Sequence, residues 1–254
     1  MRSVVSLALL LLLFPIYAQD NPDLVTKMPR EDVKEVRLSG PGTMSKNFYS
    51  APDLLTMGYW LYKPATTNNE KLPLIIYLHG GNLRGTDLDQ VLVRGLPKYL
   101  VNTVDLPAIV LCPQSPFSGY WWDSPIKETL VGLIRDVIKT HNIDERNVSL
   151  TGHSIGGSGT WLVGADYPQL FSRLLPVSGL TRDEDLAQYV ALPIRTFVAE
   201  YDQYKVYDMN LDKTKALKAL NADIKMTLIR GTTHESVPSV VYTNVEVLKW
   251  LLGK

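Results

Sequence analysis

VSLTGHSIGGSGTW, residues 148–161, is the stretch on which the fold turns. Val148-Ser149-Leu150 suits a short buried strand, and Gly152-His153-Ser154-Ile155-Gly156 follows it without a linker. A helix is read over 157–166. Strand, sharp turn and helix in so few residues need small side chains where the two elements cross, and glycine stands two before and two after Ser154. Working outward, the alternation recurs. Continuous apolar runs lie at 74–78, 108–112, 174–177, 196–199 and 224–229, with an early strand over 54–63. Helical patterns occupy 124–140, 211–221 and 238–252. In the first of these, Ser124 is expected to cap and Pro125 to open the helix, with Ile126, Leu130, Leu133, Ile134, Val137 and Ile138 at i, i+3, i+4 spacing. Runs that are apolar throughout belong to strands covered on both faces. The expected class is α/β: a mostly parallel twisted sheet, doubly wound, with helices on both faces.

The 254 residues suit one domain. Lys+Arg and Asp+Glu are both 26, so the net charge is zero. That gives no electrostatic reason to expect nucleic acid or stable membrane association; oligomeric state is not legible. Arg2 precedes an apolar run over 4–14 that ends at Ile16-Tyr17-Ala18. The run falls short of the ~20 apolar residues of a membrane span and fits a secretory signal cleaved after Ala18, a membrane anchor being the rival. The expected organisation is therefore a signal peptide, 1–18, and a single domain, 19–254, secreted or periplasmic. Residues 19–35 read as a mobile lead-in and 66–71 as a turn. Cys112 stands alone, so no internal disulfide can form. The Asn147-Val148-Ser149 sequon opens a buried strand and is expected to be inert.

Gly152-His153-Ser154-Ile155-Gly156 is G-x-S-x-G in the context of a nucleophile elbow; the bland alternative is a Gly-rich turn with a bystander Ser. A Ser hydroxyl needs a base. His153 adjoins Ser154 and cannot easily fold back on it, His79 sits in the His-Gly-Gly turn after the 74–78 strand, and His141 ends a helix. His234 remains, after the last strand, where this architecture places its base. The acid should lie between them at a strand's carboxyl end. Asp202 fits best, with Glu200 and Asp208 as rivals, while Asp183 and Asp185 read as a solvated face or helix cap. An oxyanion hole needs two donors: the Ile155 N–H, and one from Gly81 or Asn82 after the 74–78 strand. Trp121 and Trp122 either stack on a substrate ring or sugar or pack the following helix on the sheet. Trp161 reads as core.

LIIYLHGGNLRG, VLCPQSP followed by Trp121-Trp122, and LTGHSIGGSGTW resemble the secreted esterase group of the α/β-hydrolase superfamily. That group includes feruloyl and acetylxylan esterases, polyhydroxybutyrate depolymerase-like proteins and proteins labelled predicted peptidases. The resemblance covers roughly residues 55–250. It implies an α/β-hydrolase fold and an acyl-enzyme route through Ser154, Asp202 and His234 on a small-molecule or polymer-linked ester, feruloyl or acetyl groups on plant polysaccharide among them. No metal or organic cofactor is implied. Two departures stand out: Asn82 where relatives often carry a third Gly, and no Gly before Asp202. The stretch from Gly179 to Leu192 is short, which argues against a large lid. Rival readings are a serine peptidase or amidase of the same fold, and a non-catalytic binding protein on a hydrolase scaffold.

Overall fold

A computed structural model describes residues 25–28, 42–65, 70–102, 106–182, 185–203 and 205–254. The expected signal segment 1–18, most of the 19–35 lead-in, residues 66–69 of the expected turn and Asp183 lie outside them.

Nine strands among the described residues form one sheet. They are β1 (Val25–Met28), β2 (Thr43–Tyr49), β3 (Met57–Lys63), β4 (Leu72–Leu78), β5 (Ile109–Pro113), β6 (Ile143–His153), β7 (Arg173–Val177), β8 (Ile194–Tyr201) and β9 (Ile224–Thr233). The helices are α1 (Gly95–Asn102), α2 (Ile126–Thr140), α3 (Ile155–Asp166), α4 (Val206–Ala219), α5 (Val237–Val241) and α6 (Val245–Leu251). Strand order is β1-β9-β8-β7-β6-β4-β5-β3-β2. All pairs are parallel except β2 with β3 and β3 with β5.

The apolar runs are explained by β4. Leu74, Ile76 and Leu78 join a core with Trp121, Trp161 and the inner face of α2. Ile75 and Tyr77 point the other way, into a second core closed by Leu96 and Leu100 of α1 and by α5 and α6. Both faces are dry, so both parities along the strand are apolar. From β4 the chain adds β5 on one side and then crosses to add β6 on the other. That reversal opens a crevice at the carboxyl ends of β4 and β6, the place where open α/β sheets bind ligands.

Several boundaries differ from the sequence reading, each for a physical reason. Residues 25–28 of the expected lead-in are strand, paired with Met226–Ile229. β2 is a sheet edge with exposed polar residues on both faces, so it shows no period-2 pattern. α1 carries Gly95 and Pro97, which mask its helical pattern, although Pro is tolerated in a first turn. α2 starts at Ile126 behind Pro125, and Ser124 does not cap it. α4 starts at Val206, ahead of the expected 211, because its buried face carries Asn210, Lys213 and Thr214. Asn210 is satisfied there by Thr196 and by the carbonyls of Gly179 and Val206. The expected 238–252 helix is two: Asn244 accepts from the N–H groups of Glu246 and Val247 and starts α6 afresh. Asp185 does cap a helical turn, accepting from the Ala187 N–H. In the sequon, the Asn147 amide donates to the Leu252 carbonyl at 2.8 Å and accepts from Arg173.

Candidate active site

The β6–α3 turn sets the geometry. Ser154 has φ 58° and ψ −120°, a strained conformation for a non-glycine residue. Its N–H donates to the Val177 carbonyl, which fixes the turn to β7. The flanking glycines are compulsory. A Cβ on Gly156 would lie 1.9 Å from the Leu78 carbonyl oxygen, and one on Gly152 would lie 2.5 Å from that of Gly156.

Three residues from three strand ends meet here. His234, one residue beyond β9, brings Nε2 within 2.8 Å of Ser154 Oγ. Its Nδ1 lies 2.6 Å from Asp202 Oδ1, one residue beyond β8. A carboxylate accepts only, so Nδ1 carries the proton and Nε2 is left to accept from the Ser154 hydroxyl. Burial alone would raise the Asp202 carboxyl, but hydrogen bonds from His234, Ser178 and the Ala199 N–H outweigh it and hold the group below the usual carboxylate range. Ser178 carries no motif and is not legible from sequence; it donates to Asp202 Oδ2. Of the rival acids, Glu200 accepts from the Gly231 N–H instead, and Asp208 lies in the first turn of α4.

The candidate oxyanion donors lie on two neighbouring segments beside Ser154. Ile155 is the first residue of α3, and Gly81 and Asn82 open a short 3-10 turn, Gly81–Leu83. N–H groups in such first turns have no acceptor within their own helix. A Cβ on Gly80 would lie 3.5 Å from Ser154 Cβ, and one on Gly81 would lie 3.8 Å from Ile155 Cγ2. His79 holds this loop. Its Nδ1–H donates to the Gly80 carbonyl at 2.7 Å, and its Nε2 accepts from the Ser115 N–H at 3.0 Å. Burial lowers its imidazole to about 4, which keeps it in the neutral form that both bonds require.

Trp121 departs from the cleft-lining expectation. Trp121 is fully buried and packs in the core, its indole N–H donating to the His79 carbonyl at 3.1 Å. It therefore offers no surface to a substrate and instead braces the loop that follows β4. Trp122 is half-buried, with Tyr120 stacked on its ring at 4.9 Å and the Arg182 guanidinium over it at 4.6 Å. The cleft itself is about 100 Å³ and is walled by Gly80, Gly81, Asn82 and Leu83 around Ser154 and His234. Arg94 and Glu235 form an ion pair at its rim. No group of three or more potential metal ligands occurs among the described residues, and none of their helices is long and apolar enough to cross a membrane.

Comparisons with known proteins agree on the architecture. The chain is 28% identical over 169 residues to "Probable acetylxylan esterase A" of Neosartorya fischeri, a match covering 62% of this chain and 44% of that protein. It is 29% identical over 129 residues to an "Uncharacterized secreted protein" of Arthroderma benhamiae, covering 47% of this chain and 13% of that one. The chain thus matches less than half the length of these curated relatives. A crystal structure of a thermostable esterase superposes with a TM-score of 0.70 at 25% identity, covering 83% of this chain and 62% of that one. A feruloyl esterase module from Clostridium thermocellum complexed with sinapinate gives 0.65 at 16% identity, covering 86% and 93%. These likenesses establish the α/β-hydrolase fold. The sequence profile of one family, described as "Putative esterase", spans residues 56–249, across the whole crevice and all the residues gathered in it. With that match, the chain belongs to the "Putative esterase" family.

Proposed function

We propose that the chain is an exported serine hydrolase of carboxylic esters, acting on acetyl and other short acyl groups through an acyl-Ser154 intermediate. The unbroken relay from Ser154 Oγ through His234 to Asp202, at 2.8 and 2.6 Å, carries this reading. His234 Nε2 takes the hydroxyl proton as Ser154 Oγ attacks the ester carbonyl carbon. The Ile155 N–H and an N–H of Gly81 or Asn82 stabilise the developing oxyanion. His234 returns its proton to the leaving alcohol. Water, deprotonated by His234, then frees the acid and regenerates Ser154. Asp202, held ionised by its three donors, stabilises the imidazolium in both halves.

The cleft supports a short acyl group. Pockets that enclose drug-sized ligands run to roughly 300–1,000 Å³, against about 100 Å³ here. Trp121, buried beneath the site, offers no ring face to an aromatic acyl group. Export rests on the apolar run at 4–14 and its small residue Ala18.

The test is a panel of p-nitrophenyl acetate, butyrate and octanoate, methyl ferulate, acetylated xylan and a peptide anilide, with wild type and Ser154→Ala. Acetate and acetylated xylan should lead, octanoate and ferulate should trail, and Ser154→Ala should lose about 10³-fold or more in kcat. Hydrolysis of the anilide alone, or activity unchanged in Ser154→Ala, would overturn the reading.

A further inference from the structure

We infer that His153 is a positioning residue for the reaction, clamping the backbone of the His234 loop to the strand that carries Ser154. This inference rests on the proposed roles of Ser154 and His234. His153 is buried, and its Nε2 lies 2.8 Å from the His234 carbonyl oxygen. A carbonyl accepts only, so Nε2 carries the proton and donates. The backbone of His153 is itself fixed, since it is the last residue of β6 and pairs with Val177 of β7. Its ring lies 4.8 Å from that of His234, tilted by 43°.

Asp202 fixes the rotation of the His234 ring through Nδ1, but one side-chain bond does not fix where the loop sits. Within the loop the bonds are the Thr233 N–H to Ser236 Oγ and the Ser236 N–H back to the Thr233 carbonyl; outside it, Thr233 pairs with Tyr201 of β8 and the Glu235 side chain with Arg94, but neither bonds the backbone of His234 itself. The His153 bond ties the His234 backbone to β6 across 81 positions of sequence. A loop shift of about 1 Å would carry the 2.8 Å contact between Ser154 and His234 out of hydrogen-bond range. A cationic neighbour would oppose the imidazolium that forms on His234. His153 avoids this, because burial and the adjacent His234 depress it to about 3 and it stays neutral.

The experiment compares wild type, Ser154→Ala, His153→Phe, His153→Gln and His153→Met on p-nitrophenyl acetate, with fluorophosphonate labelling and thermal melting for each. Phe keeps an aromatic ring without the donor. Gln keeps an N–H at the Nε2 position without the ring. Met fills the site flexibly should Phe not pack. His153→Phe or His153→Met, whichever melts within a few degrees of wild type, should lose about ten- to a hundredfold in kcat with KM little changed, and should label proportionately more slowly. His153→Gln should recover most of that loss. Wild-type kcat in the folded donorless variant, or equal losses in it and in His153→Gln, would overturn the inference while leaving Ser154 as nucleophile. Wild type that neither hydrolyses nor labels would overturn both.

Discussion

Trp121 and Trp122 are neighbours in sequence with opposite fates, and the residue scale decides between them. An aromatic pair after a strand reads the same from sequence whether it faces solvent or core. The outcome depends on which ring finds a partner for its N–H, and Trp121 finds the His79 carbonyl. Trp121→Phe should therefore cost about 1–3 kcal/mol of stability, because it leaves that buried carbonyl short of a donor, and should lower kcat several-fold by loosening the Gly80-Gly81 turn. Trp122→Ala should leave kcat/KM for p-nitrophenyl acetate within about twofold. Melting and steady-state assays of the two variants check the contrast, and equal effects would contradict it. That Ser154, Asp202 and His234 would lie together was legible because each follows a strand read from its apolar run. Ser178 and the Arg94–Glu235 pair were not, because a Ser or an ion pair in a loop has no pattern until the loops are folded together.

Elements were legible where burial enforced a period. β4, β5 and β7 lie between two cores and read as apolar runs. β2 and the first turn of α4 did not, since exposure at the sheet edge and a buried polar face each erase the pattern. The crossing of β4, β6 and α3 has the least room of any element contact at the site. Gly156→Ala would set a methyl 1.9 Å from the Leu78 carbonyl oxygen, an obstacle of backbone that no side-chain rotation relieves. The expected cost is about 3 kcal/mol or more, with loss of activity as the turn at Ser154 and the loop at Gly81 are driven apart. Urea denaturation measures it, and a change under about 1 kcal/mol would refute the close approach.

At the scale of the whole molecule, two buried neutral histidines make stability depend on acid. His79 is lowered from 6.5 to about 4 and His153 from 6.5 to about 3, both chiefly by burial. The unfolded chain binds these protons more readily. Their contribution is thus complete above pH 6.5 and is lost as pH falls towards 4 and then 3, on the order of 3 kcal/mol for His79 alone. Asp202, depressed in the folded state, adds its own loss at lower pH still. Urea midpoints at about pH 7.5 and about pH 4.5 should differ in that direction; equal midpoints would mean the two rings are solvated. The order of the parts along the chain has a consequence for how the molecule is made. The residues proposed as oxyanion donor, nucleophile, acid and base come at 81, 154, 202 and 234, so the proposed base is the last of the four to be synthesised. A growing chain that has reached Asp202 holds Ser154 and eight of the nine described strands but not yet the proposed base. On those proposed roles, Ser154 stays without its base until His234 has been added and folded against it.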